Sequence, residues 1–146
     1  MDIYTHAPGG IKIYKNTSVT PGISFQLVVN LLYSYFYTGM VNLYVSSTDL
    51  PAINDVDNDG DIDILTFGLI GSTIEYHKNY SVENGFGCDS LLYQLKNECW
   101  GNFSESILNN QLSLIDTCST TLTSTELTVP SDPMLHPEKL TDDNFT

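Results

Sequence analysis

The sequence predicts an all-β fold, and two features of the chain carry this prediction. The first is a succession of short segments that alternate apolar and polar residues and end at Gly, Pro, Asn or Ser, which is typical of strands joined by turns. The second is an internal repeat, in which residues 9–18 and residues 72–81 share Ile, Lys-Asn and Ser at matching positions. The repeated asparagines are Asn16 and Asn79, so the repeat distance is 63 residues.

The repeat distance predicts how the chain is divided. About four short strands per repeat, with no segment of clear helical periodicity, are what one blade of a β-propeller requires. We therefore predict a fragment of a β-propeller with antiparallel four-stranded blades. Residues 1–16 would hold the last strand of one blade, residues 17–81 a complete blade, and residues 82–146 an incomplete following blade with a tail rich in Thr, Ser and Pro. Its partners would include neighbouring blades of the same, longer chain.

The strands follow from local composition. A segment rich in β-branched and aromatic residues begins after the turn signal Pro21-Gly22, and residues 41–46 alternate Val, Leu and Val with polar or aromatic residues. Strands are predicted in residues 9–18, 23–32, 41–46, 62–69, 73–78, 90–95 and 111–115.

The charge of the chain excludes several classes of partner. Only 5 Lys and Arg stand against 18 Asp and Glu, and the formal net charge is −13. A protein that binds nucleic acid or anionic lipid needs a basic surface, so neither partner is expected. Residues 27–40, the most apolar run, are too short and too interrupted by polar residues for membrane insertion. The hydrophobic fraction of 41% is sufficient for a packed core.

The most informative segment is residues 55–63, where five aspartates alternate with other residues around one glycine. The aspartates are Asp55, Asp57, Asp59, Asp61 and Asp63, and the glycine is Gly60. So many carboxylates repel one another unless a cation compensates them, and Ca²⁺ takes six to eight oxygen ligands from such a loop. We predict that this loop binds Ca²⁺ and that Gly60 permits the sharp turn, because a residue with a Cβ resists a positive φ.

The sequence distinguishes the acidic loop from two helical calcium-binding motifs. An EF-hand or a dockerin loop needs an acidic residue at its twelfth position, which here is Thr66, and a helix afterwards, whereas residues 62–67 have a strand-like pattern. Both helical motifs are therefore disfavoured. A solvated acidic turn without an ion remains as the alternative.

The loop and its surroundings resemble a known repeat family. The pattern Asp-x-Asp-x-Asp-Gly-x-x-Asp is similar to the calcium loop of FG-GAP and VCBS repeats, the blade units of integrin-like β-propellers. The segment Leu50-Pro51-Ala52 before the loop and residues 74–79 after it fit the same pattern. The resemblance implies that the side chains of Asp55, Asp57, Asp59 and Asp63 bind the ion. It also implies that Asp61 contributes its backbone carbonyl and points its side chain outward.

The remaining candidate residues give weaker indications. Cys88, Cys99 and Cys118 lack the spacing of a zinc site, and we expect a disulfide between Cys99 and Cys118 because Asn109-Asn110 could turn a hairpin between them. The three histidines are isolated, and His77 is expected to be an ordinary strand residue. No motif of a nucleophilic, zinc-dependent or nucleotide-binding enzyme occurs, so the chain is not expected to be an enzyme.

These observations predict a calcium-binding structural or adhesive repeat of a secreted or cell-surface protein. Such a module would present a binding surface to a protein or a polysaccharide. The alternative is a non-catalytic propeller domain attached to an extracellular polysaccharide-degrading or other hydrolytic enzyme.

Overall fold

The structure, a computed structural model, describes residues 2–87, 90–109 and 111–114. The predicted all-β class is confirmed for these residues, in which the regular elements are eleven strands and one short 3₁₀ turn, Trp100–Asn102. None of them belongs to a helix that could cross a membrane. The strands are Ile3–Ala7 (β1), Gly10–Asn16 (β2), Phe25–Val29 (β3), Tyr33–Phe36 (β4), Gly39–Asn42 (β5), Ala52–Asn54 (β6), Asp63–Phe67 (β7), Ile74–Asn79 (β8), Tyr93–Asn97 (β9), Ser104–Glu105 (β10) and Leu112–Ser113 (β11).

The strands form two main sheets and a small hairpin. The first sheet has the order β1-β2-β3, the second has the order β5-β4-β9-β8-β7-β6, and β10 pairs with β11. All pairs are antiparallel except β4 with β9, which are parallel and meet at Tyr35 and Gln94. In the second sheet, β6 to β9 are neighbours in chain order, so residues 52–97 form an antiparallel meander of four strands.

The strands β1–β3 and β7–β9 have the same pairing pattern, and we call them unit 1 and unit 2. The register of the second and third strands shifts in both units: between Ile13 and Tyr14 in unit 1, and between Tyr76 and His77 in unit 2. These two irregularities lie 63 residues apart, which is the distance found between the similar sequence segments. The matching residues therefore occupy matching positions in two sheets.

The same correspondence holds for a side-chain hydrogen bond at the end of the middle strand. The backbone N–H of Asn16 donates to Asp2 Oδ1 at 2.9 Å, and that of Asn79 donates to Asp63 Oδ1 at 2.8 Å. Each asparagine side chain then accepts the N–H of the serine two residues further on. An asparagine that ends a strand in this way directs the chain into the following turn.

One hydrophobic core lies between the two sheets. Unit 1 contributes apolar side chains of β2 and β3, and the six-stranded sheet contributes Ile64 and Tyr93, both almost completely buried. The hydroxyl of Tyr93 donates to the carbonyl of Ile62 at 2.8 Å, which fixes β9 beside the end of the acidic loop. The buried cluster consists of Ile11, Ile13, Val29, Leu32, Leu43, Val45, Ile64 and Tyr93.

The predicted strands agree with the structure unevenly. The strand expected in residues 41–46 is wrong in its bounds, because β5 ends at Asn42. Leu43 and Val45 are buried in an extended connection outside any sheet, so their alternation reports burial rather than pairing. The strands β1, β4, β6 and β10 were not predicted. The propeller arrangement and the domain boundaries remain predictions.

Candidate metal centre

The acidic loop connects β6 to β7, and its own carboxylates shape the backbone. Asp55 accepts the N–H of Asp59 at 3.2 Å and the N–H of Gly60 at 3.1 Å, one with each oxygen. Asp59 accepts the N–H of Asp61 at 3.1 Å. These bonds curl the loop so that alternate side chains turn toward a common point.

Gly60 has the role that the sequence predicted. Its φ is +102°, a conformation that residues with a Cβ adopt at a cost. A Cβ at this position would meet no atom within 4 Å, so the need for glycine is conformational rather than a matter of space. Asn58 also has a positive φ, of 63°, which asparagine tolerates better than most residues.

The loop brings carboxylates together in two overlapping groups. Group 1 consists of Asp55, Asp57 and Asp59, and group 2 consists of Asp59, Asp61 and Glu83. Within each group, one carboxylate oxygen of every residue lies within 4.8 Å of the others. Glu83 comes from the connection between β8 and β9, so group 2 joins two segments that are distant in sequence.

A single ammonium group lies against three of these carboxylates. Lys78 Nζ is 2.6 Å from Asp59 Oδ2 and 2.5 Å from Glu83 Oε1, and it also contacts Asp57. Burial lowers the pKa of Lys78, but the hydrogen bonds to these carboxylates outweigh it and raise the pKa. Burial likewise raises the pKa of Asp59, yet the bonds from Lys78 and from the Asp61 N–H lower it to about 2. One positive charge against three carboxylates leaves the site negative.

The structure corrects the expected orientation of Asp61. Its side chain does not point outward: the residue is 0% exposed, because the chain after β8 folds over the loop and the Val82 N–H donates to Asp61 Oδ2 at 3.1 Å. Asp61 Oδ1 is buried and has no hydrogen-bond partner among the residues that the structure describes. Burial raises the pKa of Asp61 to about 6; the Val82 N–H opposes this rise, and the charges of Asp59, Asp63 and Glu83 add to it.

Asp63 holds the loop against the sheet. It is 0% exposed, and its carboxylate accepts three hydrogen bonds: from the Asn79 N–H at 2.8 Å, the Val56 N–H at 3.0 Å and the Tyr76 hydroxyl at 3.1 Å. Burial raises its pKa, although these donors oppose the rise. Asp63 belongs to neither carboxylate group. Asp2 accepts the corresponding bond in unit 1, so this bracing occurs in both units.

Sequence reasoning missed two members of the site, Glu83 and Lys78. The repeat aligns Lys78 with Lys15, and this alignment says nothing of the charge partners of Lys78. Glu83 has no local signal, because its approach to Asp59 depends on how the chain returns after β8. The assembly of these five carboxylates with Lys78 is therefore a property of the folded chain.

A second polar cluster lies in the core and contains His77. Its Nδ1 is 2.9 Å from Ser34 Oγ, and its Nε2 is 3.1 Å from Glu75 Oε2. Although serine, histidine and glutamate can form a catalytic triad, Ser34 is 0% exposed and His77 is 1% exposed. A buried serine cannot reach a substrate, so the cluster acts as a polar link between β4 and β8.

Of the three cysteines, Cys99 is the one that lies within the described residues. Cys99 is buried and disulfide-bonded. Cys118, its expected partner, lies outside the described residues, as do Cys88 and the tail, so the Cys99–Cys118 pairing remains a prediction.

Comparisons of the chain with family models, with curated proteins and with solved structures found no match.

Proposed function

We propose that this chain is a calcium-stabilised, non-catalytic repeat module of a secreted or cell-surface protein, and that it presents a binding surface to a protein or polysaccharide partner. The observation that carries the proposal is the convergence of Asp55, Asp57 and Asp59 within 4.8 Å at a strand-to-strand turn. All of the ligand atoms offered are oxygens, and such sites suit hard cations of the Ca²⁺ type rather than zinc or copper.

The role proposed for the ion is structural. The acidic loop joins two neighbouring antiparallel strands, β6 and β7, so a bound ion would fix this connection by neutralising charges that otherwise repel. Asp63 already ties the same loop to β8. Ion and hydrogen bonds would together hold three strands in one arrangement.

The matching units support the proposal of a repeat protein. Units 1 and 2 share their strand order, the position of their register shift and the aspartate-to-asparagine hydrogen bond. The meander β6–β9 has the number and order of strands of a propeller blade. We infer that the two units are copies of one repeat and that the parent fold is a β-propeller.

Two observations, the disulfide of Cys99 and the charge of the chain, favour an extracellular location. Cys99 is disulfide-bonded, and disulfides persist in oxidising compartments. Extracellular modules can rely on calcium sites of low affinity, with Kd values of roughly 10⁻⁴ to 10⁻³ M. The charge of −13 fits a setting rich in cations.

An exposed apolar patch is the strongest candidate for the binding surface. One segment of the patch is the turn between β7 and β8, at the opposite end of β7 from the acidic loop, and the other is the turn between β10 and β11. A hydrogen bond from the Glu105 N–H to the Ser72 carbonyl, at 2.7 Å, joins the two segments. The patch consists of Leu69, Ile70, Ile107 and Leu108, which are 66% to 89% exposed. Clustered aliphatic side chains favour a protein partner, whereas sugars stack on aromatic rings.

Calcium titration tests the proposal directly. The chain is freed of divalent ions with a chelator and titrated with Ca²⁺ by isothermal calorimetry. We expect saturable binding that Asp57→Asn weakens by at least about tenfold, because a charged ligand is removed without a change of shape. Asp49→Asn is the control, since Asp49 lies outside both carboxylate groups. Absence of binding, or equal binding by both variants, would overturn the proposal.

A further inference from the structure

Asp61 Oδ1 is an unusual atom in this structure. The residue is 0% exposed, its Oδ1 accepts no hydrogen bond from the described residues, and the other oxygen already accepts the Val82 N–H. A buried, ionised carboxylate oxygen without a partner is costly, so such atoms are rare in folded proteins. The atom therefore needs a partner that the described part of the chain does not supply.

The surroundings of Asp61 indicate the chemistry of that partner. Asp59 and Glu83 each place a carboxylate oxygen within 4.8 Å of the Asp61 carboxylate. A hydrogen-bond acceptor would be repelled by three carboxylates, whereas a divalent cation is attracted to all of them. Lys78 already contacts Asp59 and Glu83, but it makes no hydrogen bond to Asp61.

We propose that Asp59, Asp61 and Glu83 form a second Ca²⁺ site, separate from the site of Asp55 and Asp57 and joined to it by Asp59. The ion would be held by side chains of two segments, the acidic loop and the connection between β8 and β9. Because Glu83 lies in that connection, ion binding would fasten it over the loop. This site differs from the first because it requires the side chain of Asp61. The sequence resemblance implied only a role for the backbone carbonyl of this residue.

The number of bound ions tests this inference. Calorimetric titration of the full chain with Ca²⁺ is expected to give two ions for the unaltered protein and for Asp49→Asn. Glu83→Gln is expected to bind one ion, at the first site. Its affinity for that ion is expected to lie within about threefold of the affinity of the unaltered protein at the same site. Glu83 is 39% exposed at its side chain, so this substitution leaves the fold intact, which circular dichroism verifies.

Asp61→Asn provides a second measurement with its own signature. Asparagine keeps an acceptor for the Val82 N–H but removes a buried charge. We expect this variant to lose one ion and to unfold at a higher temperature than the unaltered chain when calcium is chelated. If Asp61 served only to accept the Val82 N–H, the ion count would not change.

The outcomes separate this inference from the proposed function. Two bound ions that become one in Glu83→Gln and in Asp61→Asn support the second site. A single ion in the unaltered chain that Glu83→Gln and Asp61→Asn still bind, or two ions retained in both variants, overturns it. If Asp57→Asn leaves binding unchanged while Glu83→Gln abolishes it, the second site stands and the first one fails.

Discussion

Replacement of Lys78 by methionine tests the electrostatic balance of the site most sharply. Methionine keeps the apolar stem but removes the ammonium group that lies among Asp57, Asp59 and Glu83. The substitution therefore changes two quantities in opposite directions: the stability of the calcium-free chain and its affinity for calcium.

The calcium-free chain should become less stable. Removal of one partner from a fully buried ion pair costs about 3–5 kcal/mol, whereas exposed pairs contribute about 0–1 kcal/mol. The lysine side chain is 9% exposed, but those of Asp57 and Glu83 are 36% and 39% exposed, so solvent screens their interaction. We expect a loss of about 1–2 kcal/mol in the free energy of unfolding, which corresponds to a fall of roughly 3–8 °C in Tm.

Calcium affinity should rise at the same time. A single and a double positive charge about 5 Å apart in water repel each other by about 1.7 kcal/mol, and more in a less polar environment. Removal of the ammonium should therefore tighten calcium binding by at least roughly tenfold.

The assay combines thermal unfolding with calorimetry. Tm is measured by circular dichroism in chelator and in excess calcium, and the dissociation constant is measured by calorimetric titration. Lys96→Met is the matched control, because Lys96 Nζ lies 5.9 Å from the ring of Tyr80, to which Lys78 also lies close, and its loss changes the net charge equally. Weaker calcium binding in Lys78→Met, or the same changes in Lys96→Met, would refute the reasoning.

Three further predictions concern single residues. Asp63→Ala should lower the free energy of unfolding by about 3 kcal/mol or more, with and without calcium, because two buried donors and one part-buried donor lose their acceptor. A loss below about 1 kcal/mol in urea denaturation would contradict the bracing role. Gly60→Ala should cost about 1–2 kcal/mol because of its φ of +102°, whereas Gly22→Ala, where φ is not positive, should be nearly neutral in the same denaturation experiment. In chelator, Tm should fall as pH rises from about 4 to about 7. The pKa of Asp61 is about 6 in the folded chain and 3.8 in the unfolded chain, so the folded state binds more protons between these two values. The folded state therefore loses stability as Asp61 ionises. Asp61→Asn should flatten this dependence of Tm on pH. A Tm that rises between pH 4 and pH 7 would contradict the raised pKa of Asp61 in the folded chain.

The all-β class could be predicted because strand periodicity and turn residues act locally. Alternation in β2 reflects one buried and one less buried face, whereas the last four residues of β8 are all buried. The distance of 63 residues between the two strands identified positions that the two sheets use in the same way. Local alternation failed at Leu43 and Val45, because an extended connection that crosses a core has the same pattern as a strand.

The conformation of the acidic loop has local causes, whereas the full set of residues at the site has long-range causes. The spacing of the aspartates and the position of Gly60 determined by themselves that the loop would turn sharply with its carboxylates converging, because these depend on φ and on hydrogen bonds between close neighbours. Only the tertiary structure decided that Glu83 and Lys78 join the site and that Asp61 is buried. Those contacts depend on the register of β7 with β8 and on the return of the chain to β9, and a register shift of one residue would turn Lys78 to the other face of the sheet.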